Sequence, residues 1–565
     1  MSRPRPNLWN TIDPVTKGLH SKGYRTGTVK EVASDFLAAL SFAGLFLAPT
    51  ALELVHEGAE RAHYFSILEG ERYVAAGANM FLSALALVLM KRAAWPRLDS
   101  RSRTVAVLLL PLALLLPATR LWRREHFTLV EDGFQWLTAL LPFIEEGVLL
   151  GWGLAFTATL FLSRLAYRAP IRFRSGVRTT LLILSPFAVL SLGQIAWVGL
   201  GGGGRADLGD FDRLGPPSEA EGAGIRDNGE GRRGPPGTDE GHRVVFILFD
   251  ELDAELLQEG LSDPVPLEGF ENLVEEGVVV PQAPEPSRWT VESVPALTLG
   301  LPLDGTLPLG HSRLGVLLEG SGEEHHWNPG ETFLGRWHAE GGTVAIAGWY
   351  HPYCRVFRDH ADACRWMPWR QSTPGDGPGR WLGLLAQQWS GSLPIARERS
   401  TRREVARIED AALRWVGHPD VDLLWIHHPM PHEPWIGPHF TFPDGERPAG
   451  YRRNLQAADR FLGQVKDELR RTGLDEQTAL FVTSDHSKRS VNSDTDWIPQ
   501  DPARNVPVLI RLPGEAPEGR SWERPCPPFF LGDLALSVLR GEVATNSAAQ
   551  AWIRTRGSTY CPETC

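Results

Sequence analysis

Cysteine is scarce in this 565-residue chain, and all five, Cys354, Cys364, Cys526, Cys561 and Cys565, lie in its second half. That distribution fits a C-terminal part exposed to an oxidising compartment, where disulfides persist. Cys354 and Cys364 are the preferred pair, because they close a short loop rich in aromatics. Cys561 with Cys565 is a second pairing that would leave Cys526 over, and free thiols are the alternative. A basic excess is also lacking. Lys and Arg total 57 against 68 Asp and Glu, a net charge of −11, which argues against a nucleic-acid partner. There is no internal repeat. No cleavable signal is evident, since the first apolar run starts late and lacks a small-x-small site, so it reads as an uncleaved anchor.

What the first 204 residues do contain is apolar length. Uncharged runs occur at Phe36–Leu52, Tyr73–Met90, Thr104–Thr119, Gly147–Ser163 and Thr179–Gly204. A bilayer core needs about 17–25 apolar residues per helix, so each spans or nearly does. Thr104–Thr119 is the weakest, with Pro111 and Pro117, and Gly133–Ile144 is too short to span alone. Basic residues mark alternate loops. Arg3, Arg5, Lys17, Lys22, Arg25 and Lys30 precede the first run; Lys91, Arg92, Arg97, Arg101 and Arg103 follow the second; Arg164, Arg168, Arg172, Arg174 and Arg178 follow the fourth. The first loop instead carries Glu57, Glu60, Glu69 and Glu71. Positive loops stay cytoplasmic. The expectation is a multi-pass protein of the plasma (inner) membrane, with five helices, a cytoplasmic N-terminus and everything after residue 204 outside.

Beyond the membrane segment (1–200) the composition changes twice. Residues 201–242 are rich in Gly, Pro and charge, which predicts a flexible linker. Then Arg243–Phe249 reads as a strand buried on both faces, and similar short runs recur at Val278–Val280, Thr343–Ala347, Leu423–Ile426, Ala479–Thr483 and Val506–Ile510. Helical patterns at Arg403–Trp415 and Tyr451–Arg471 separate several of them. This alternation predicts an α/β domain over 243–540 with a mainly parallel central sheet, followed by a C-terminal tail, 541–565. Sites in such sheets lie beyond the carboxyl ends of the strands.

Four clusters there could carry chemistry. Asp250-Glu251 ends the first strand, where paired acids are costly unless a cation or a helix dipole meets them. Asp485-His486 follows a later strand and supplies oxygen and nitrogen ligands suited to zinc or manganese. Thr290 and Ser293 stand at a helix start, as N-caps or as a nucleophile activated by a metal. His427, His428 and His432 fall within six residues at another strand end, a pattern for metal binding or acid catalysis.

In order, Asp250-Glu251, Thr290 with Ser293-Val-Pro and Gly300, Pro431-His432-Glu-Pro-Trp435 and Ser484-Asp485-His486 resemble the alkaline phosphatase superfamily. The nearest branch is the sulfatase-like group of five-helix membrane enzymes that includes lipoteichoic acid synthases and phosphoethanolamine transferases. The resemblance implies an alkaline phosphatase/sulfatase-like domain in which Asp250, Thr290, Asp485 and His486 hold one divalent metal. Zinc or manganese is expected, with calcium or magnesium as alternatives and a second metal left open. Thr290 would be the nucleophile, Glu251 a further ligand carboxylate, and His432 the group that serves the leaving oxygen. His427, His428, His351 and Lys488 are candidates for substrate binding, with His427 and His428 also open to a second metal. The expected substrate is a phosphoester of an envelope lipid or glycan; the oligomeric state stays open. Sulfatases use cysteine or serine in a Cys-x-Pro-x-Arg context, whereas Thr290 has no arginine four residues on, which favours phosphoryl chemistry. Ser487 replaces the usual glycine after Asp-His, and Gly348–Cys354 matches no part of the transferase pattern. Sulfate-ester hydrolysis and an inactive membrane-tethered binding protein remain the alternatives.

Overall fold

The computed structural model describes residues 29–55, 64, 70–94, 97, 164, 170–197, 210–214, 242–262, 265–310, 312–368, 382, 385, 394–432, 447–489, 504–514 and 526–560. The chain divides into two compact units, one of residues 1–56, 69–204 and 374–392, the other of 57–68, 205–373 and 393–565.

The first unit holds three long helices among the described residues: α1 (Val29–Val55), α2 (Gly70–Leu89) and α3 (Pro170–Trp197). Among the described residues, two stretches are long and apolar enough to cross a membrane, Tyr73–Ala93 and Ser175–Gly193. Phe36–Leu52 falls within α1, whereas the runs expected at 104–119 and 147–163 lie outside the described residues. Five spanning helices therefore remain an expectation. On α3, Ile183, Phe187 and Leu190 are 68–69% exposed. Their i, i+4, i+7 spacing puts the three exposed apolar side chains in one stripe along the helix.

The second unit is built on an eight-stranded mixed sheet. Its strands in chain order are β1 (Phe211–Asp212), β2 (Arg243–Asp250), β3 (Val278–Pro284), β7 (Val344–Tyr350), β8 (Ala363–Pro368), β9 (Leu423–Pro431), β10 (Thr478–Ser484) and β11 (Asn505–Arg511). Across the sheet they run β1-β8-β7-β9-β2-β10-β11-β3. The five central strands, β8 to β10, are parallel, and antiparallel pairs close both edges. Continuous apolar sequence explains the centre: β2, β9, β10 and β11 are buried along their whole length. A strand covered by helices on both faces needs such a run. Helices α4 (Ala254–Leu261), α5 (Glu268–Glu276), α6 (Thr290–Leu299), α7 (Phe333–Ala339), α8 (Tyr353–Val356), α9 (Pro394–Val416), α10 (Arg447–Thr472), α11 (Leu531–Leu539) and α12 (Asn546–Tyr560) complete the unit.

All six expected strands are present. The three-stranded sheet of β4 (Leu303–Gly310), β5 (Arg313–Leu318) and β6 (Glu324–His326) was not expected, because its strands are half exposed and broken by Gly and Pro. Three other expectations change. Within the linker, Phe211 and Asp212 pair with Cys364 and Ala363, and Asp210 bonds Arg365 and the Trp366 N–H, so this stretch is an edge strand. The tail carries α12, whose Ala549, Trp552 and Ile553 enter the core at i, i+3, i+4 spacing. Cys354 and Cys364 are bonded as expected, but Cys526 is not left over: it too is disulfide-bonded.

Candidate active site and metal centre

Parallel pairing of β10 with β2 sets Ser484 beside Phe249, so the next residues, Asp485 and Asp250, emerge together at the carboxyl ends. The chain then turns sharply. Glu251 takes φ 63, a left-handed value costly for a residue with a side chain. Hydrogen bonds over-determine that turn. The Glu251 N–H donates to Asp485 Oδ1 at 3.1 Å, and the Tyr451 hydroxyl donates to the Glu251 carbonyl at 2.8 Å. Ser484 Oγ accepts from the Leu252 N–H at 2.8 Å and lies 2.8 Å from the His486 carbonyl oxygen. Capping of α4 falls to Asp253, which accepts from the Glu255 and Leu256 N–H groups, so Asp250 and Glu251 are not capping acids.

Asp250, Asp485 and His486 are buried, and a potential ligand atom from each lies within 4.8 Å of the others. His486 Nδ1 faces the Ser487 carbonyl at 2.9 Å. A carbonyl only accepts, so Nδ1 carries the proton and the Nε2 lone pair is turned inward. There Nε2 sits 3.3 Å from Asp485 Oδ2, 3.7 Å from Asp250 Oδ1 and 3.2 Å from Thr290 Oγ1. Those same two carboxylate oxygens, Asp250 Oδ1 and Asp485 Oδ2, are buried without a hydrogen-bond partner among the described residues. Two orphaned oxygens and an imidazole lone pair converging beside a hydroxyl are the donor set of a zinc- or manganese-type site. Electrostatics agrees. Burial and then the Glu251 charge push Asp250 up to about 7, and burial and then Asp250 push Asp485 well above the usual carboxylate range. Burial holds His486 well below the usual imidazole value. A divalent cation would relieve both carboxylates at once.

Thr290 is the first residue of α6, with Trp289 rather than Thr290 at the N-cap. Its hydroxyl is thereby free to face His486, while Ser293 Oγ donates to the Ser287 carbonyl. Gly300, at φ 74, ends the helix in the left-handed conformation that glycine favours.

The other expected residues scatter around this centre. Glu251 is not among the clustered donors: its carboxylate lies 2.5 Å from Lys488 Nζ and 3.4 Å from Arg489 Nε. Burial alone would raise it, but Lys488, His432, His486 and Arg489 hold it far below the usual range. Lys488 is accordingly an ion-pair partner of Glu251. His432 lies at the rim, 18% exposed, with Nε2 3.9 Å from Glu251 Oε1. His427 is buried and bonded through Nδ1 to the Tyr353 hydroxyl at 2.9 Å. His428, one residue on, points to the opposite sheet face, stacked on Phe461 and 3.1 Å from Glu409, so it cannot serve this site. His351 is buried too, with Nε2 3.0 Å from the Thr290 carbonyl oxygen, and burial lowers it to about 3. It contacts the Thr290 backbone rather than facing solvent.

Two contributors were missed from sequence. Trp349 Nε1 donates to Asp250 Oδ2 at 2.5 Å, fixing that carboxylate so that Oδ1 turns inward. Its signal was its place at the end of a core strand. Arg489, whose guanidinium lies 4.6 Å over the half-exposed Trp289 ring, had no comparable signal.

Residues 312–513, which include Asp485 and His486, match the model of the type I phosphodiesterase / nucleotide pyrophosphatase family. This match agrees with the resemblance to the alkaline phosphatase superfamily carried by the four motifs. A stretch of 68 residues, 12% of this chain, is 32% identical to an endo-4-O-sulfatase of Bacteroides thetaiotaomicron and spans 13% of that protein. Among solved structures, the phosphonate monoester hydrolase of Agrobacterium radiobacter is 16% identical at TM-score 0.37, covering 53% of this chain and 74% of its own. Ps i-CgsB in complex with k-i-k-neocarrahexaose is 17% identical at TM-score 0.38, covering 56% and 76%.

Proposed function

We propose that this chain is a membrane-anchored, metal-dependent hydrolase or transferase of phosphoesters in envelope lipids or glycans, with Thr290 as nucleophile. The observation that carries the reading is the Thr290 hydroxyl 3.2 Å from Nε2 of His486, whose ring clusters with Asp250 and Asp485. A divalent ion held by those four side chains would supply charge neutralisation and a lowered hydroxyl pKa. Thr290 Oγ1, its proton passed to solvent water, would attack phosphorus in line, forming the Oγ1–P bond of a phosphothreonine as the bond to the leaving oxygen breaks. His432, at the rim, supplies the proton to that oxygen. The start of α6 adds backbone N–H groups that favour an anionic phosphoryl group. Water or an envelope alcohol takes the group in the second step.

Membrane anchoring is supported by the two apolar spans and the exposed stripe on α3. Tyr64, on the segment between α1 and α2, is buried in the second unit, which supports that loop and the α/β domain sharing the outer side. Reporter fusions at positions 95, 170 and 230 should read inside, inside and outside; a cytoplasmic reading at 230 overturns the compartment. Sulfate-ester hydrolysis is the second reading, favoured by the stretch shared with the endo-4-O-sulfatase. Purified full chain loaded with zinc or manganese and offered bis(4-nitrophenyl) phosphate and 4-nitrophenyl sulfate tests both. Turnover of the phosphodiester, lost in Thr290→Ala, supports the proposal; turnover of the sulfate alone replaces it.

A further inference from the structure

Tyr64 belongs to the second unit although it lies between the first two helices of the other. It is fully buried, in the same core as Trp327, Tyr353 and Phe357. Arg355 Nη2 donates to its carbonyl at 2.6 Å, and its hydroxyl stands 3.2 Å from His351 Nδ1. The other nitrogen of that ring, Nε2, is 3.0 Å from the Thr290 carbonyl oxygen. Because a carbonyl only accepts, Nε2 must carry the hydrogen. In the neutral ring Nδ1 is then the acceptor, and the Tyr64 hydroxyl is the donor. Two hydrogen bonds in series thus run from Tyr64 through His351 to the backbone of Thr290. The ring is boxed by Trp327, whose centroid is 4.9 Å away, by Tyr350 at 5.2 Å and by Tyr353 at 5.8 Å.

We infer that Tyr64 is a positioning residue for the nucleophile. By donating to Nδ1 it selects the tautomer and orientation of His351 that donate to Thr290. Were the ring flipped or the tautomer exchanged, a lone pair would face the carbonyl oxygen, and the first residue of α6 would move away from the metal donors. The inference rests on the reading of Thr290 as nucleophile. It goes further by making the site depend on a segment some 226 residues upstream, by subtraction of positions 64 and 290. A catalytic domain cut from its N-terminal helices would therefore lack part of the device that sets its hydroxyl.

The test uses the full chain with ¹⁵N-labelled histidine, His351 being assigned by the signals lost in His351→Gln. In the wild type, Nε2 should be protonated and Nδ1 should be a hydrogen-bonded acceptor. In Tyr64→Phe the Nδ1 signal should shift or split between tautomers. With bis(4-nitrophenyl) phosphate as probe, kcat should fall about 10- to 100-fold, the scale expected when a reacting group is misplaced by about an ångström. KM and bound metal should stay as in the wild type. His351→Gln, whose amide offers a donor and an acceptor, should keep more turnover than His351→Phe. Unchanged His351 signals in Tyr64→Phe overturn the inference, as does an unchanged kcat. If no variant, wild type included, turns over the diester, the functional reading has failed, and the imidazole signals alone decide the role of Tyr64.

Discussion

The two units break the usual burial rule in opposite directions. On α3, Ile183, Phe187 and Leu190 stand 68–69% exposed, whereas at the ends of β2 and β10 the side chains of Asp250, Asp485 and His486 are at most 1% exposed. In the proposed function each inversion has its own medium, lipid for the first and a cation for the second. An apolar stripe on a helix long enough to span is stable against lipid. Two carboxylates and an imidazole in a dry core are stable against a cation. That shared inversion teaches more about the protein than the composition of either unit.

The strongest way to break this comparison is to remove the polar cluster. Asp250→Ala and His486→Ala should each lose bound metal and reduce turnover by at least about a thousandfold, read by elemental analysis and diester hydrolysis. Thr290→Ala should lose turnover equally but keep much of its metal and its fold. Equal loss of metal in all three would reduce Thr290 to one ligand among others. On the helical side, Phe187→Lys places a charge on the exposed stripe at a cost of about 2.5–3.5 kcal/mol if that position is near mid-membrane. The carbonate-resistant membrane fraction should fall sharply. No change would detach α3 from the bilayer.

Smaller effects sharpen the picture. Trp349→Phe leaves Asp250 Oδ2 without its donor, and outer supports of this kind are worth about 10- to 100-fold in metal affinity. A zinc titration should therefore weaken within that range while the fold holds. Replacing Cys354 and Cys364 by serine releases a short closed loop and should cost about 2–3 kcal/mol of stability in the chain-entropy model. Because α8 carries both Tyr353 and Arg355, exchange should quicken first around His427 and Tyr64.

The smallest effect is at Asp533. Burial would raise its carboxyl, but Tyr560 and Arg336 hold it below the usual value. A carboxyl depressed in the folded state contributes stability above its unfolded value, near 3.9, and loses it as pH falls through the folded one. Asp533→Asn should therefore lower the melting temperature slightly at neutral pH and merge with the wild type under strong acid. The pair is partly exposed, so the shift should be small.

Why some of this was legible in sequence and some was not follows from range. The core strands announce themselves as continuous apolar runs, and Asp250 and Asp485-His486 follow two such runs directly. The site was readable because it hangs on the most readable elements. Strand alternation then separates His427 from His428, which the sequence shows only as neighbours. Glu251 looked like a ligand because it adjoins Asp250; its left-handed backbone and the cation of Lys488 draw it elsewhere. Trp349 and Tyr64 meet Asp250 and His351 across 99 and 287 positions, a relation that periodicity does not carry. The sheet of β4 to β6 was hidden for the reverse reason, having no buried run to announce it.

The most direct test of the account is anomalous diffraction from crystals of the full chain loaded with zinc. The account predicts one site in the second unit, about 2.0–2.2 Å from Asp250 Oδ1, Asp485 Oδ2, His486 Nε2 and Thr290 Oγ1. A metal held by Glu251 with Lys488 displaced, or one bound away from Thr290, would contradict it.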